Sequence, residues 1–123
     1  MLDSYKRFFT PVASLGHGVY ASAMPGRRID VRAWVAKNGG WKPVGSKMYK
    51  QGATMDVPTF RKLLEGALTE DEDVVAETLN DGRVRLAEKF PPSGESVGVR
   101  LSSPQWDALV AHKDAIEAAA LAL

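Results

Sequence analysis

The chain contains no cysteine, which rules out disulfides and thiolate chemistry and fits a reducing compartment. Histidine is almost as scarce. His17 and His112 stand far apart with no matched carboxylate spacing, so neither suggests a metal centre or a general base. No serine nucleophile motif, phosphate loop or dinucleotide fingerprint is present, and Gly16-His17-Gly18 is only a fragment of one. The acidic run Thr69-Glu70-Asp71-Glu72-Asp73 has no glycine turn to set calcium ligands and reads as a solvated connector. A catalytic set assembled in space leaves no trace of this kind. On motifs alone the expectation is a protein that is not an enzyme and needs no cofactor or metal. No run approaches the ~20 apolar residues of a membrane span, and the N-terminus lacks the apolar region of a signal peptide. A cytoplasmic protein is expected (in the nucleoid or a host-cell cytoplasm), or a nuclear one if the source is eukaryotic.

What is present begins with an uneven charge. Residues 1–68 hold eleven Lys/Arg against four acids, and residues 69–123 hold five against eleven, so a half of +7 precedes one of −6 within a net +1. Such asymmetry suits a polyanion-facing half joined to a half with another task, although mixed surfaces also serve solubility. At 123 residues and 45% apolar the chain has enough material for an ordinary core.

The most informative stretch is Arg27-Arg28-Ile29-Asp30-Val31-Arg32-Ala33-Trp34-Val35. It alternates, with Ile29, Val31, Ala33 and Val35 on one side of a strand and Arg28, Asp30, Arg32 and Trp34 on the other. An indole set among arginines on the polar side suits stacking on unpaired bases while guanidinium groups meet phosphates. It equally suits a ring packed under a loop or in a subunit contact.

Residues 1–15 read as an N-terminal arm that docks through Phe8-Phe9. Val19 to Met24 is a strand, Pro25-Gly26 a hairpin turn into the Arg27–Val35 strand, and Asn38-Gly39-Gly40 the next turn. Trp41-Lys42-Pro43 opens a third strand, Val44 to Tyr49 holds a loop, and Lys50 to Met55 is a fourth strand. Asp56 caps a helix with Pro58 in its first turn and Phe60, Leu63, Leu64 and Leu68 at helical spacing. The second half repeats the plan: Val74 to Leu79, a turn at Asn80-Asp81-Gly82, Arg83 to Phe90, a loop at Pro91-Pro92-Ser93-Gly94, and a strand from Glu95 to Leu101. A helix then follows a Ser102 or Ser103 cap, with Trp106, Leu109, Val110 and Ile116 facing inward.

The two strand-to-helix junctions superimpose. Met55-Asp56-Val57-Pro58-Thr59-Phe60-Arg61-Lys62-Leu63 matches Leu101-Ser102-Ser103-Pro104-Gln105-Trp106-Asp107-Ala108-Leu109 at apolar, cap, proline, aromatic and leucine positions. The fold expected is therefore α+β: two similar units, 16–69 and 70–123, each an antiparallel sheet of three to four strands followed by one helix. The first is basic, the second acidic and shortened.

These residues resemble the transcriptional coactivator positive-cofactor-four family, whose single-stranded-DNA-binding fold is similar to that of the plant Whirly proteins. The resemblance lies in Ile29-Asp30-Val31-Arg32, Gly40-Trp41-Lys42-Pro43, Met55-Asp56 with Pro58, Phe60 and Leu63, and Leu101-Ser102-Ser103-Pro104-Gln105-Trp106 with Ile116. It implies a four-stranded antiparallel sheet and a C-terminal helix per unit, pairing as a dimer whose sheets form channels for unpaired strands. A duplicated chain would make that pair within one molecule, as a pseudo-dimer, and a homodimer is the other possibility. Two departures stand out: the extra residues Val44 to Tyr49, and a second unit in which a strand near Pro91 to Gly94 is lost.

The function expected is sequence-nonspecific binding of single-stranded DNA in replication, recombination or transcription. Trp34 and Trp41 would stack on bases while Arg27, Arg28, Arg32, Lys42, Lys47 and Lys50 meet phosphates. Tyr49 suits either stacking or solvent. Arg83, Arg85 and Lys89 would extend the surface into the second unit, though amid many acids. Phe60 and Trp106 belong to the core by their helical spacing. RNA remains open as a ligand. The rival class is a protein-interaction module that recruits a transcription or replication partner.

Overall fold

A computed structural model describes residues 8–37, 40–45, 50–66, 70, 73–90 and 94–123. Among the described residues, two antiparallel sheets and three helices make an α+β fold of two similar sheet-plus-helix units.

The first sheet contains β1 (Thr10–Gly16), β2 (Val19–Met24), β3 (Arg28–Lys37), β4 (Gly40–Pro43) and β5 (Gly52–Asp56). Its centre is β3. One edge of β3 pairs with β2, from Val19 opposite Ala33 to Met24 opposite Arg28. The other edge is shared, with Arg28–Arg32 pairing with β5 and Trp34–Lys37 with β4. Gly52 is what lets β5 come this close, because a Cβ there would stand 2.5 Å from the Arg32 Cβ. The second sheet contains β6 (Val74–Thr78), β7 (Val84–Phe90), β8 (Gly94–Glu95) and β9 (Val99–Leu101). It repeats the scheme: β6 takes one edge of β7, while β9 and β8 share the other, pairing with its first and last residues.

The junctions cap as the sequence suggests. Asp56 precedes α1 (Val57–Leu64), and its Oδ1 accepts from the Thr59 backbone N–H at 2.9 Å. Ser102 precedes α2 (Ser103–Ala111) in a capping box with Gln105. The Gln105 side chain also donates to the Gly16 carbonyl at 2.9 Å, which ties the second unit's helix to the end of β1.

Three expectations are corrected. Residues 10–16 are not part of an arm but form β1, an added edge strand that the second sheet matches, among the described residues, only with the isolated bridge of Glu70 to Val75. The second unit keeps a strand where a loss was expected: the single strand foreseen over 95–101 is instead β8 and β9 around Ser96-Val97-Gly98, both paired to β7. The final helix is also two helices, because α2 stops at His112 and α3 (Lys113–Leu121) begins there. The expectations for Lys6, Arg7, Asn38-Gly39, Lys47, Tyr49, Leu68, Asp71-Glu72 and Pro91-Pro92-Ser93 lie outside the described residues.

One core serves both units. Ala21, Ala23, Ile29, Val31, Ala53 and Met55 of the first sheet meet Val74, Leu86, Val99 and Leu101 of the second through Phe60, Leu63, Leu109, Ile116 and Ala120. Alanines at 21, 23 and 53 keep that sheet face low, and α3 lies against β2 and β3. Trp106 packs against this core half-buried, whereas Phe60 is fully enclosed. No helix is long and apolar enough to cross a membrane among the described residues.

Candidate nucleic-acid interface

With Ile29 and Val31 turned to the core, the register puts a defined set of side chains on the opposite, outer face of the first sheet. Rows running across the strands read Pro11, Ser22, Asp30 and Thr54, then Ser14, Tyr20 and Arg32, then Met24, Arg28 and Asp56. Trp34 shares this face with Pro43, and Ala36 with Trp41. Lys42 pairs opposite Val35 and so belongs to the reverse side from Trp41.

The alternation foreseen for β3 is present, but its polar side is not a solvated one. Asp30 is fully enclosed, Arg32 is 8% exposed and Trp34 only 6%. Arg32 closes a two-pronged ion pair on Asp30, with Nε to Oδ2 and Nη2 to Oδ1 both at 2.9 Å, and Thr54 Oγ1 donates to Oδ1 at 2.8 Å. Burial pushes the Asp30 carboxyl above its usual value, against the opposing pull of the Arg32 guanidinium and the Thr54 hydroxyl. The cover comes from the chain just before β1. Phe9 sets its ring edge-on to Trp34, with centroids 5.2 Å apart, and the Arg32 guanidinium lies 5.3 Å from the Phe9 centroid. Phe9, Met24 and Trp34, with Tyr20 alongside, make a small second apolar cluster. Of the two rings expected to dock, Phe9 is buried and Phe8 is exposed.

Arg32 is thus committed to a carboxylate rather than presented to solvent. The same is true of several other cations picked out in the sequence. Lys50 Nζ meets Glu88 Oε2 at 2.7 Å, and the other oxygen of Glu88 accepts from the Thr54 backbone N–H at 2.6 Å. Arg85 is held by Glu77 at 3.0 Å, by Glu95 at 3.6 Å and by the carbonyls of Ser96 and Val97. Arg83 pairs with Asp81 at 2.7 Å, and Lys89 with Glu70. In the second unit Glu70, Glu77, Asp81 and Glu95 are therefore partners of its own cations, while Glu88 and Glu117 pair with Lys50 and Arg61 of the first.

Two arginines stand apart from this pattern. Arg27 and Arg28 are both exposed at the β2–β3 turn. Arg27 holds φ 57° beside Gly26 at φ 85°, a left-handed conformation that a residue with a Cβ adopts at a cost. Arg28 donates from Nε to the Pro25 carbonyl at 3.3 Å.

At the other end of the outer face a hollow of about 130 Å³ opens among Pro11, Tyr20, Trp34 and Trp41. Trp34 forms a mostly buried wall, whereas Trp41 is 38% exposed and stands edge-on to Tyr20, with ring centroids 6.2 Å apart. The sequence pattern points to the two tryptophans. It misses Tyr20 and Pro11, because Tyr20 becomes a neighbour of Trp41 only through the β2–β3–β4 pairing, and β1 was not foreseen. The alternation of Tyr20 with Ala21 and Ala23 in β2 is the signal that could have placed it on the outer face. No three His, Asp or Glu side chains gather as a metal site among the described residues.

Compared with known proteins, the chain matches no family model, no curated protein and no solved structure.

Proposed function

We propose that the chain binds single-stranded DNA, without sequence preference, on the outer face of its first sheet, in the service of replication, recombination or transcription. The observation that carries this is the gathering of Tyr20, Trp34 and Trp41 from three adjacent strands around an open hollow, on the same face as the exposed Arg28. Trp34 lies six steps along β3 from Arg28, about 20 Å at ~3.3 Å per residue. A strand lying along β3 would meet ring faces at one end and cations at the other, the two features that sequence-tolerant single-strand binding combines. The resemblance to the positive-cofactor-four family supports the same reading, since β2–β5 followed by α1, and β6–β9 followed by α2, keep the order of four strands and a helix that family implies, with β1 and α3 added.

A protein-interaction role draws on a different observation. Arg32, Lys50, Arg83, Arg85 and Lys89 are all paired with carboxylates of the chain, which leaves fewer cations for phosphate than the +7 of the first half suggests.

The test is fluorescence anisotropy of labelled oligo-dT against a duplex of equal length, across a salt series. Preference for the single strand supports the proposal. With Arg27 and Arg28 as the principal phosphate contacts, log K should fall against log salt with a slope near −1.4, about −0.7 for each of two phosphates. Equal binding to the duplex would reduce the interaction to general electrostatics. Binding to neither, with a protein partner that survives nuclease treatment, would favour the interaction module.

A further inference from the structure

The outer face of the first sheet carries an element that the repeated plan does not require. Among the described residues the second sheet matches strand β1 only with an isolated bridge, Glu70 opposite Val75, and with the residue before it β1 changes what the face can hold. Phe9 lies edge-on to Trp34 and beneath the Arg32 guanidinium, so the aromatic surface of Trp34 is largely taken by the chain itself. Pro11 supplies the fourth wall of the hollow beside Tyr20, Trp34 and Trp41. Among the described residues no charged side chain lines it, and Asp30, Arg32 and Thr54 of that face are bonded to one another.

Resting on the single-strand reading, we infer that this hollow is a seat for one unpaired base, held by Tyr20 and Trp41 with Pro11 closing one side. Trp34 is then a positioning residue, braced by Phe9, rather than a second stacking platform. Charge complementarity favours a nucleic-acid occupant, because the exposed Arg27 and Arg28 lie along the same strand pair and the one enclosed acid of the face, Asp30, is already matched by Arg32. Stacking on Tyr20 and Trp41 tolerates any sequence, so the seat takes any base by its ring face. A paired base, with both faces stacked in a duplex, cannot enter. The added strand thus limits the first unit to one stacked base where an open sheet would offer several.

The experiment uses the full chain and two labelled probes of equal length, oligo-dT and an oligonucleotide with abasic sites throughout, which keeps phosphates and lacks bases. Wild type, Trp41→Ala, Tyr20→Leu and the double variant are titrated with each probe, with circular dichroism as the check on folding. Each single variant should lose about tenfold in affinity for oligo-dT. The double variant should lose little more than either, since both rings hold the same base, and all four proteins should bind the abasic probe alike. Full additivity in the double variant, or an unchanged Tyr20→Leu in a wild type that prefers oligo-dT to the abasic probe, would overturn the one-base seat and leave single-strand binding standing. Wild-type binding that is equal for both probes, or absent for both, would overturn the single-strand reading itself. A proline-rich peptide that quenches tryptophan fluorescence where oligo-dT does not would reassign the hollow to a peptide.

Discussion

Arg32 is the residue whose role changes most between sequence and structure, and its replacement makes the sharpest test. In Arg32→Ala the Asp30 carboxylate stays fully enclosed while losing both guanidinium contacts at 2.9 Å. Removing one member of a buried pair typically costs about 3–5 kcal/mol, because the remaining charge is left without compensation. Two features hold the cost toward the low end of that range. Thr54 still donates to Oδ1, and Asp30, whose carboxyl burial already pushes up, can take a proton instead of staying charged. The expected loss is therefore about 3 kcal/mol, or a fall in Tm of about 10–15 °C for a chain of this size. Thermal and urea unfolding followed by circular dichroism would measure it. The deficit should shrink as pH falls and Asp30 takes up a proton in the variant. Replacing both partners, as in Asp30→Val with Arg32→Met, should cost much less than the sum of the single changes, because no unpaired charge remains. A loss below about 1 kcal/mol in Arg32→Ala, independent of pH, would refute a structural role for the pair and return Arg32 to the solvent-facing position that its alternation suggests.

Other consequences can be checked alongside. Since burial raises the folded-state value of Asp30 above 3.8, the folded chain keeps that proton to a higher pH than the unfolded chain does. The Asp30 contribution is thus present at acid pH and lost as pH rises through the folded value, a slope that Asp30→Asn should remove from the stability-versus-pH curve. Arg27→Gly relieves the left-handed backbone at the hairpin turn and should leave stability unchanged or raise it by up to about 1 kcal/mol. The same change should weaken oligo-dT binding and make the salt slope shallower by about 0.7. Phe9→Ala uncovers Trp34, so acrylamide quenching of tryptophan fluorescence should rise, and quenching equal to wild type would contradict the Phe9–Trp34 contact. Gly52→Ala forces β5 away from β3 at Arg32 and should cost at least about 1 kcal/mol in urea unfolding, whereas no change would show that the strands yield there.

Much of the fold was legible because local signals carry it. The Asp56 and Ser102 caps, the prolines that follow them and the Pro25-Gly26 turn all act within a few residues, and each stands where the sequence puts it. The repeat was legible for the same reason, as its junctions are runs of local signals. β1 was not, because Thr10–Gly16 mixes proline, serine and glycine, and its pairing with β2 is irregular, with register shifts at Pro11/Ala13 and Ser14/Gly16. Its strand character comes from β2 and from the Gln105 contact at Gly16, both non-local. The two-residue β8 is likewise made by pairing to the end of β7.

The candidate site shows why a two-residue period locates a face without saying what covers it. Arg28, Asp30, Arg32 and Trp34 do share one side of β3, but only Arg28 reaches solvent there. Asp30 between two arginines on one face was itself a hint, since a carboxylate two residues along a strand from a guanidinium is its neighbour whichever face is buried. Covering that face with Phe9 then removes water from the pair and turns a surface attraction into a fixed structural element. The chain thereby exchanges cations that could meet phosphate for a rigid platform under one open aromatic hollow. Binding built in this way should depend more on ring stacking, and less on salt, than the basic composition of residues 1–68 suggests.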